Sequence, residues 1–136
     1  MRISWGEDYA VIFMHTLSKN YNNKLVSLSQ VSKNNNISIA FLKQLAMLLK
    51  KKGFIISKEG LNGGYKLAKN PNQITLFDVV SAVNKHRELT ECCHESHSKN
   101  KKKKCLREDF CKAKNAWQRI NQQINNNLKS VTLSQL

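Results

Sequence analysis

Four thiols fall within twenty residues of this chain, at Cys92, Cys93, Cys105 and Cys111, and its 136 residues hold no other cysteine. No apolar stretch follows a basic N-terminus, and no run of about eighteen apolar residues occurs. A secretory signal and a membrane span are therefore not expected, and a cytoplasmic chain is. In a reducing compartment, clustered thiols suit metal binding or redox sensing better than a permanent disulfide.

Their spacing narrows the chemistry. Cys105 and Cys111 are six residues apart, and six residues turn a helix by roughly 600°. Both sulfurs can reach one centre only from a loop or a loop–helix junction. Between Cys93 and Cys105 stand His94, Glu95, Ser96, His97 and Ser98, then Lys99-Asn100-Lys101-Lys102-Lys103-Lys104. The lysines supply counter-charge to thiolates; by themselves they read as a solvated insertion with a general attraction for DNA. An iron–sulfur cluster needs sulfur ligands and accepts a different ligand at one corner. Zinc competes, because Cys92, His94, Cys105 and Cys111 make a tetrahedral set, although the last gap is wider than in most zinc knuckles. Reduced, unligated surface thiols are the third reading.

The elements on either side must position this cluster. Ala10, Phe13, Met14 and Leu17 recur at helical spacing and predict a first helix, followed by an asparagine-rich turn at Asn20, Asn22 and Asn23. Ser27-Leu28-Ser29-Gln30 has the form of a capping box and opens a short helix burying Leu28 and Val31, with Lys33 to Asn36 as a turn. Ser38 caps a third helix with Leu42, Leu45, Ala46 and Leu49 inside, Lys50 to Lys52 at its end and Gly53 as its cap. Phe54-Ile55-Ile56 and Tyr65-Lys66-Leu67 then read as strands around a turn at Gly60, Asn62, Gly63 and Gly64. Two short helices and a hairpin make a winged helix-turn-helix.

In that arrangement Ser38, Ala40, Lys43 and Gln44 lie at the exposed start of the recognition helix, where side chains reach base edges. Lys58 and the glycine tip at Gly63 face the neighbouring phosphates or minor groove, and Arg2 is a further phosphate contact. After Pro71, Thr75 caps a helix carrying Leu76, Val79, Val80 and Val83. A last stripe follows at Ala113, Trp117, Ile120, Ile124, Leu128 and Val131. It is too apolar to leave in water, so pairing with a second copy is expected. Three parts result: a DNA-binding head at 1–83, a cysteine loop at 84–112, and a dimerisation helix with its tail at 113–136. The fold class is mainly α with a small β-hairpin.

Charge agrees with a polyanion partner. Residues 1–91 hold 13 basic and 6 acidic side chains, and residues 92–136 hold 10 and 3. Each part is thus +7 of the total +14, which favours a nucleic acid, DNA or RNA, over a membrane surface; the winged head points to double-stranded DNA. No nucleotide loop, Ser/His/Asp order or acidic pair marks an enzyme, and His15 and His86 fit no such set.

The chain also resembles the IscR/NsrR-type family of bacterial winged helix-turn-helix, iron–sulfur-cluster regulators. The likeness runs through Met1-Arg2-Ile3, Asp8-Tyr9-Ala10, Val26-Ser27-Leu28, Ile37-Ser38, Leu42, Gln44-Leu45 and Lys52-Gly53. It continues with Gly60 to Leu67, Ile74-Thr75-Leu76, Asp78-Val79-Val80, Trp117 and Val131-Thr132-Leu133. The resemblance implies a homodimeric transcription factor, a repressor or dual regulator, on a palindromic operator, crossing its C-terminal helices. It implies a [2Fe-2S] or [4Fe-4S] cluster on Cys92, Cys105 and Cys111, with Cys93 able to replace Cys92. One branch takes its fourth ligand from a histidine three residues after the last cysteine, where this chain has Lys114. Another takes an acidic residue near the partner's N-terminus, a place Asp8 fits; Glu7, His94 and His97 are the other candidates. Lys43 stands where the iron–sulfur regulator has glutamate, Glu59 where arginine is common, and Leu61-Asn62 where Pro-Gly is usual. The operator read should therefore differ. A zinc- or thiol-regulated repressor without iron, and a regulator that works by binding an enzyme, are the alternatives.

Overall fold

The computed structural model describes residues 2–90, 93, 105–107 and 109–136. Helix α1 (Trp5–Lys19) starts on a reciprocal capping box between Ser4 and Glu7 and buries Ala10, Phe13, Met14 and Leu17. Helix α2 (Leu28–Asn35) is capped by Ser27, whose hydroxyl accepts from the Gln30 N–H at 3.2 Å. It runs through Lys33 to Asn35 where a turn was expected, because Asn36 takes the left-handed conformation (φ 53°) and ends the helix itself. Helix α3 (Ile39–Lys51) buries Leu42, Leu45, Ala46 and Leu49. Its end is a Schellman motif: Gly53 (φ 76°) donates to the Lys50 carbonyl at 2.9 Å and Phe54 to that of Leu49 at 3.1 Å.

Strands β1 (Ile55–Lys58) and β2 (Gly64–Leu67) form an antiparallel hairpin in which Ile55 faces Leu67 and Lys58 faces Gly64. Val26, just before α2, exchanges two backbone hydrogen bonds with Tyr65 at 2.8 and 2.9 Å. The hairpin is thereby pinned to the start of the helix-turn-helix. That close crossing dictates Gly64: a Cβ there would lie 2.6 Å from the Val26 carbonyl oxygen, and its φ is 152°. Together these elements are the expected winged helix-turn-helix.

A short 3-10 turn (Pro71–Gln73) leads to helix α4 (Leu76–Val83), opened by a capping box between Thr75 and Asp78. Helix α5 (Lys114–Ser130) has no fully buried residue. Val131, counted in its apolar stripe, instead lies in extended backbone beyond the helix and accepts from the Leu76 N–H at 2.9 Å. Leu133 donates to the Ile74 carbonyl at 2.9 Å, and its side chain is buried in the core of the head. The tail after α5 is therefore a structural part of the head. Among the described residues no helix is long and apolar enough to cross a membrane.

Replacing Gly64 with alanine should lower stability by about 1–3 kcal/mol, the usual cost of forcing such backbone strain. Gly60→Ala also meets a positive φ, but open space around it, so its cost should be smaller. Urea unfolding midpoints of the two variants check the order.

Candidate DNA interface and cysteine segment

Three sets of residues bear on function, on different parts of the molecule. The first is the outer face of α3. Ser38, Ala40, Lys43 and Gln44 are all exposed. The Ser38 hydroxyl accepts weakly from the Phe41 N–H at 3.4 Å as the helix cap, which leaves its own proton to donate. Lys50, in the last turn, donates to the Ser57 hydroxyl on β1 at 2.7 Å. It thereby links α3 to the wing, beyond the dipole and solubility role that its position suggests. Met47 projects from the same outer face and is 66% exposed; sequence reasoning passed over it, although it falls outside the buried stripe.

The wing tip refines the role of its glycines. Lys58 is exposed. Gly63 is half-buried, and a Cβ on it would come 2.1 Å from the Lys58 carbonyl oxygen, so it is glycine for the packing of the turn. Gly60 sits in open space, and Leu61 beside it is fully exposed at the tip.

The second set surrounds the start of α1. Glu7 is a buried carboxylate and faces inward. One oxygen accepts from the Ser4 N–H at 2.8 Å and the Ser4 hydroxyl at 2.7 Å; the other meets the Asn84 amide at 3.3 Å and the Arg87 guanidinium at 3.5 Å. The Glu7 and Arg87 side chains are only 5% and 11% exposed. Arg87 also donates to the Ser81 hydroxyl at 3.2 Å and lies over the Phe77 ring at 5.3 Å, while Lys129 of α5 lies over the same ring at 4.6 Å. Leu89 donates to Asn121 of α5 at 3.3 Å. This network went unseen in the sequence, although Ser4-x-x-Glu7 is a capping-box spacing. Asp8, the next residue, faces outward in a shallow recess with Arg2, Ile3, Ser4 and Trp5.

The third set is the cysteine segment. Cys105 is exposed, Cys93 and Cys111 are half-buried, and all three are free thiols. Cys93 sits beside the Thr90 hydroxyl, 3.3 Å away, and the Cys111 carbonyl accepts from Lys114 as α5 begins. Thiolate sulfur is the ligand that an iron–sulfur cluster requires and one that zinc accepts, so the donor chemistry fits. No three His, Cys, Asp or Glu residues stand together as a ligand group among the described residues. Cys92, His94, His97 and the lysine run lie outside those residues. The outward stripe of α5 is open at its first half, with Trp117 43% and Ile120 38% exposed, while Ile124 and Leu128 are half-buried.

A helix-turn-helix, a wing pinned to it and a row of exposed basic residues define a winged-helix regulator. The chain belongs to the Rrf2 family, described as iron-dependent transcriptional regulators, whose profile matches residues 3–136. It is a transcriptional regulator and not an enzyme. It is 31% identical over its whole length to the HTH-type transcriptional regulator IscR of Pectobacterium atrosepticum, covering 79% of that protein. Among solved structures it is similar to CymR, the global cysteine regulator of B. subtilis, with a TM-score of 0.80 and 28% identity over 99% of this chain and 95% of that one. It is also similar to T. potens IscR, with a TM-score of 0.77 and 25% identity over 99% of this chain and 85% of that one.

Arg87→Met leaves the Glu7 carboxylate buried without its cation and is expected to cost about 3 kcal/mol. The double variant Glu7→Gln/Arg87→Met should recover much of that loss. Urea unfolding measures both, and a double variant no more stable than the single one would count against the pair's electrostatic role.

Proposed function

We propose that this chain is a homodimeric repressor whose operator binding is set by an iron–sulfur cluster on the segment between α4 and α5. Cys92, Cys105 and Cys111 are its thiolate ligands, with Cys93 able to take the first place, and Asp8 of a second copy completes the set. The observation that carries this reading is the path of the segment. It leaves the head after Arg87, which Glu7 holds, and it ends at Cys111, directly ahead of α5, the helix whose open stripe would meet a second copy and its Asp8. Between the two neighbouring carboxylates, Glu7 is committed to the fold and Asp8 is not, which favours Asp8 as the donor.

Such a cluster, when bound, supplies an electron-rich centre that nitric oxide and oxidants modify. The chain's own residues supply the rest. The open stripe at Trp117 and Ile120 pairs two copies, and a symmetric pair presents two α3 helices to a palindromic duplex. Tightening or release at the thiols shifts α5, whose Lys129 covers Phe77, against the network of Glu7 and Arg87. A bias of a few kcal/mol between two head spacings is sufficient for regulation. A second reading, regulation by the thiols alone, is favoured by the likeness to CymR, including the oxidised form of the Staphylococcus aureus protein at a TM-score of 0.76 and 25% identity.

Anaerobically purified protein should be coloured and carry iron and sulfide. Cys105→Ser/Cys111→Ser should lose the colour and change operator affinity at least tenfold, and Asp8→Ala should retain the chromophore less well. Colourless, iron-free protein whose operator affinity responds to diamide favours the thiol reading; zinc in place of iron favours a zinc site. In sedimentation equilibrium the mass should be near twice 15.6 kDa, with Trp117→Glu/Ile120→Glu shifting it toward one copy.

A further inference from the structure

We infer that Met47 reads the C5-methyl group of a thymine in the major groove of the operator. The inference rests on the DNA-binding reading of α3 and names a specificity residue within it. Leu42, Leu45, Ala46 and Leu49 fix the buried side of α3. Ala40, Lys43, Gln44 and Met47 are exposed on the other side. Met47 follows Ala40 by seven residues, close to two turns of helix, so these side chains form one outward row with Lys43 and Gln44 between them.

Met47 is 66% exposed, and its surroundings decide what covers it. Lys43, Lys50 and Lys51 on the same helix are all exposed, as are Lys58 and Lys66 on the wing, and cations along this helix select a polyanion rather than an apolar protein face. The Lys50–Ser57 hydrogen bond joins the last turn of this helix to the wing. Within the major groove, the one apolar group a base pair offers is the C5 methyl. Methionine has no donor and only a weak acceptor, so it cannot read the polar edges. Its flexible thioether is well suited to closing over a methyl.

The test uses duplexes enriched by the wild-type protein from a random-sequence pool, with each thymine in turn replaced by deoxyuridine, which removes only the methyl. At one position in each half-site the wild type should bind the uracil duplex about threefold to fivefold more weakly, the worth of one buried methyl. Met47→Ala, whose fold is checked by circular dichroism, should bind both duplexes equally at that position. Lys43→Ala should weaken binding to both duplexes and keep the uracil penalty. An unchanged penalty in Met47→Ala, or no thymine whose methyl matters, overturns the inference and leaves DNA binding standing. Failure to enrich any duplex overturns the DNA-binding reading and this inference with it.

Discussion

A carboxylate taken out of water must be surrounded by donors, and the Glu7 carboxylate dictates much of how this molecule is put together. Ser4 before it, Asn84 at the end of α4 and Arg87 beyond all converge on its two oxygens. Leaving any of these donors unmade would strand a buried charge, a far larger cost than the net gain of a single hydrogen bond. The chain leaving α4 therefore has to cross the start of α1 before it can carry any cysteine. Arg87 extends the same constraint outward, because its guanidinium also covers Phe77, which Lys129 of α5 covers as well.

This arrangement separates two neighbouring acids by task. Glu7 holds the head to the outgoing segment, and Asp8, one helical step away, faces solvent. The same separation recurs on α3, where the inner side is committed to the core and the outer side is left to the partner. In both places a helix divides structural from recognition duties by the 3.6-residue period alone.

Much of this was legible from residue order. The buried stripes of α1 and α3, the caps at Ser27, Ser38 and Thr75, and the glycine stop after α3 are local features, written in periodicity and cap chemistry. The hairpin was legible for the same reason. Partners distant in sequence were not. Glu7 meets Asn84 across 77 residues, and nothing local marks that meeting. Val131 fitted the helical stripe by spacing, but its backbone is claimed by Leu76, so the helix stops a residue short. Gly63 was read as a point of approach to a phosphate; its close contact with the Lys58 carbonyl is a packing demand that only the folded turn reveals. The cysteines were found by residue type, while their assembly depends on chain geometry that spacing does not encode.

The pairing of Thr132 with Thr75 has one more consequence. The whole excursion from the start of α4 through the cysteines and α5 is a loop whose two ends are fastened side by side on the head. The entropy of closing such a loop grows only with the logarithm of its length, about 0.6 kcal/mol for each doubling. Residues can thus be added or removed between the thiols with little penalty to the rest. The spacing of the sulfurs and the robustness of the head are therefore separately adjustable.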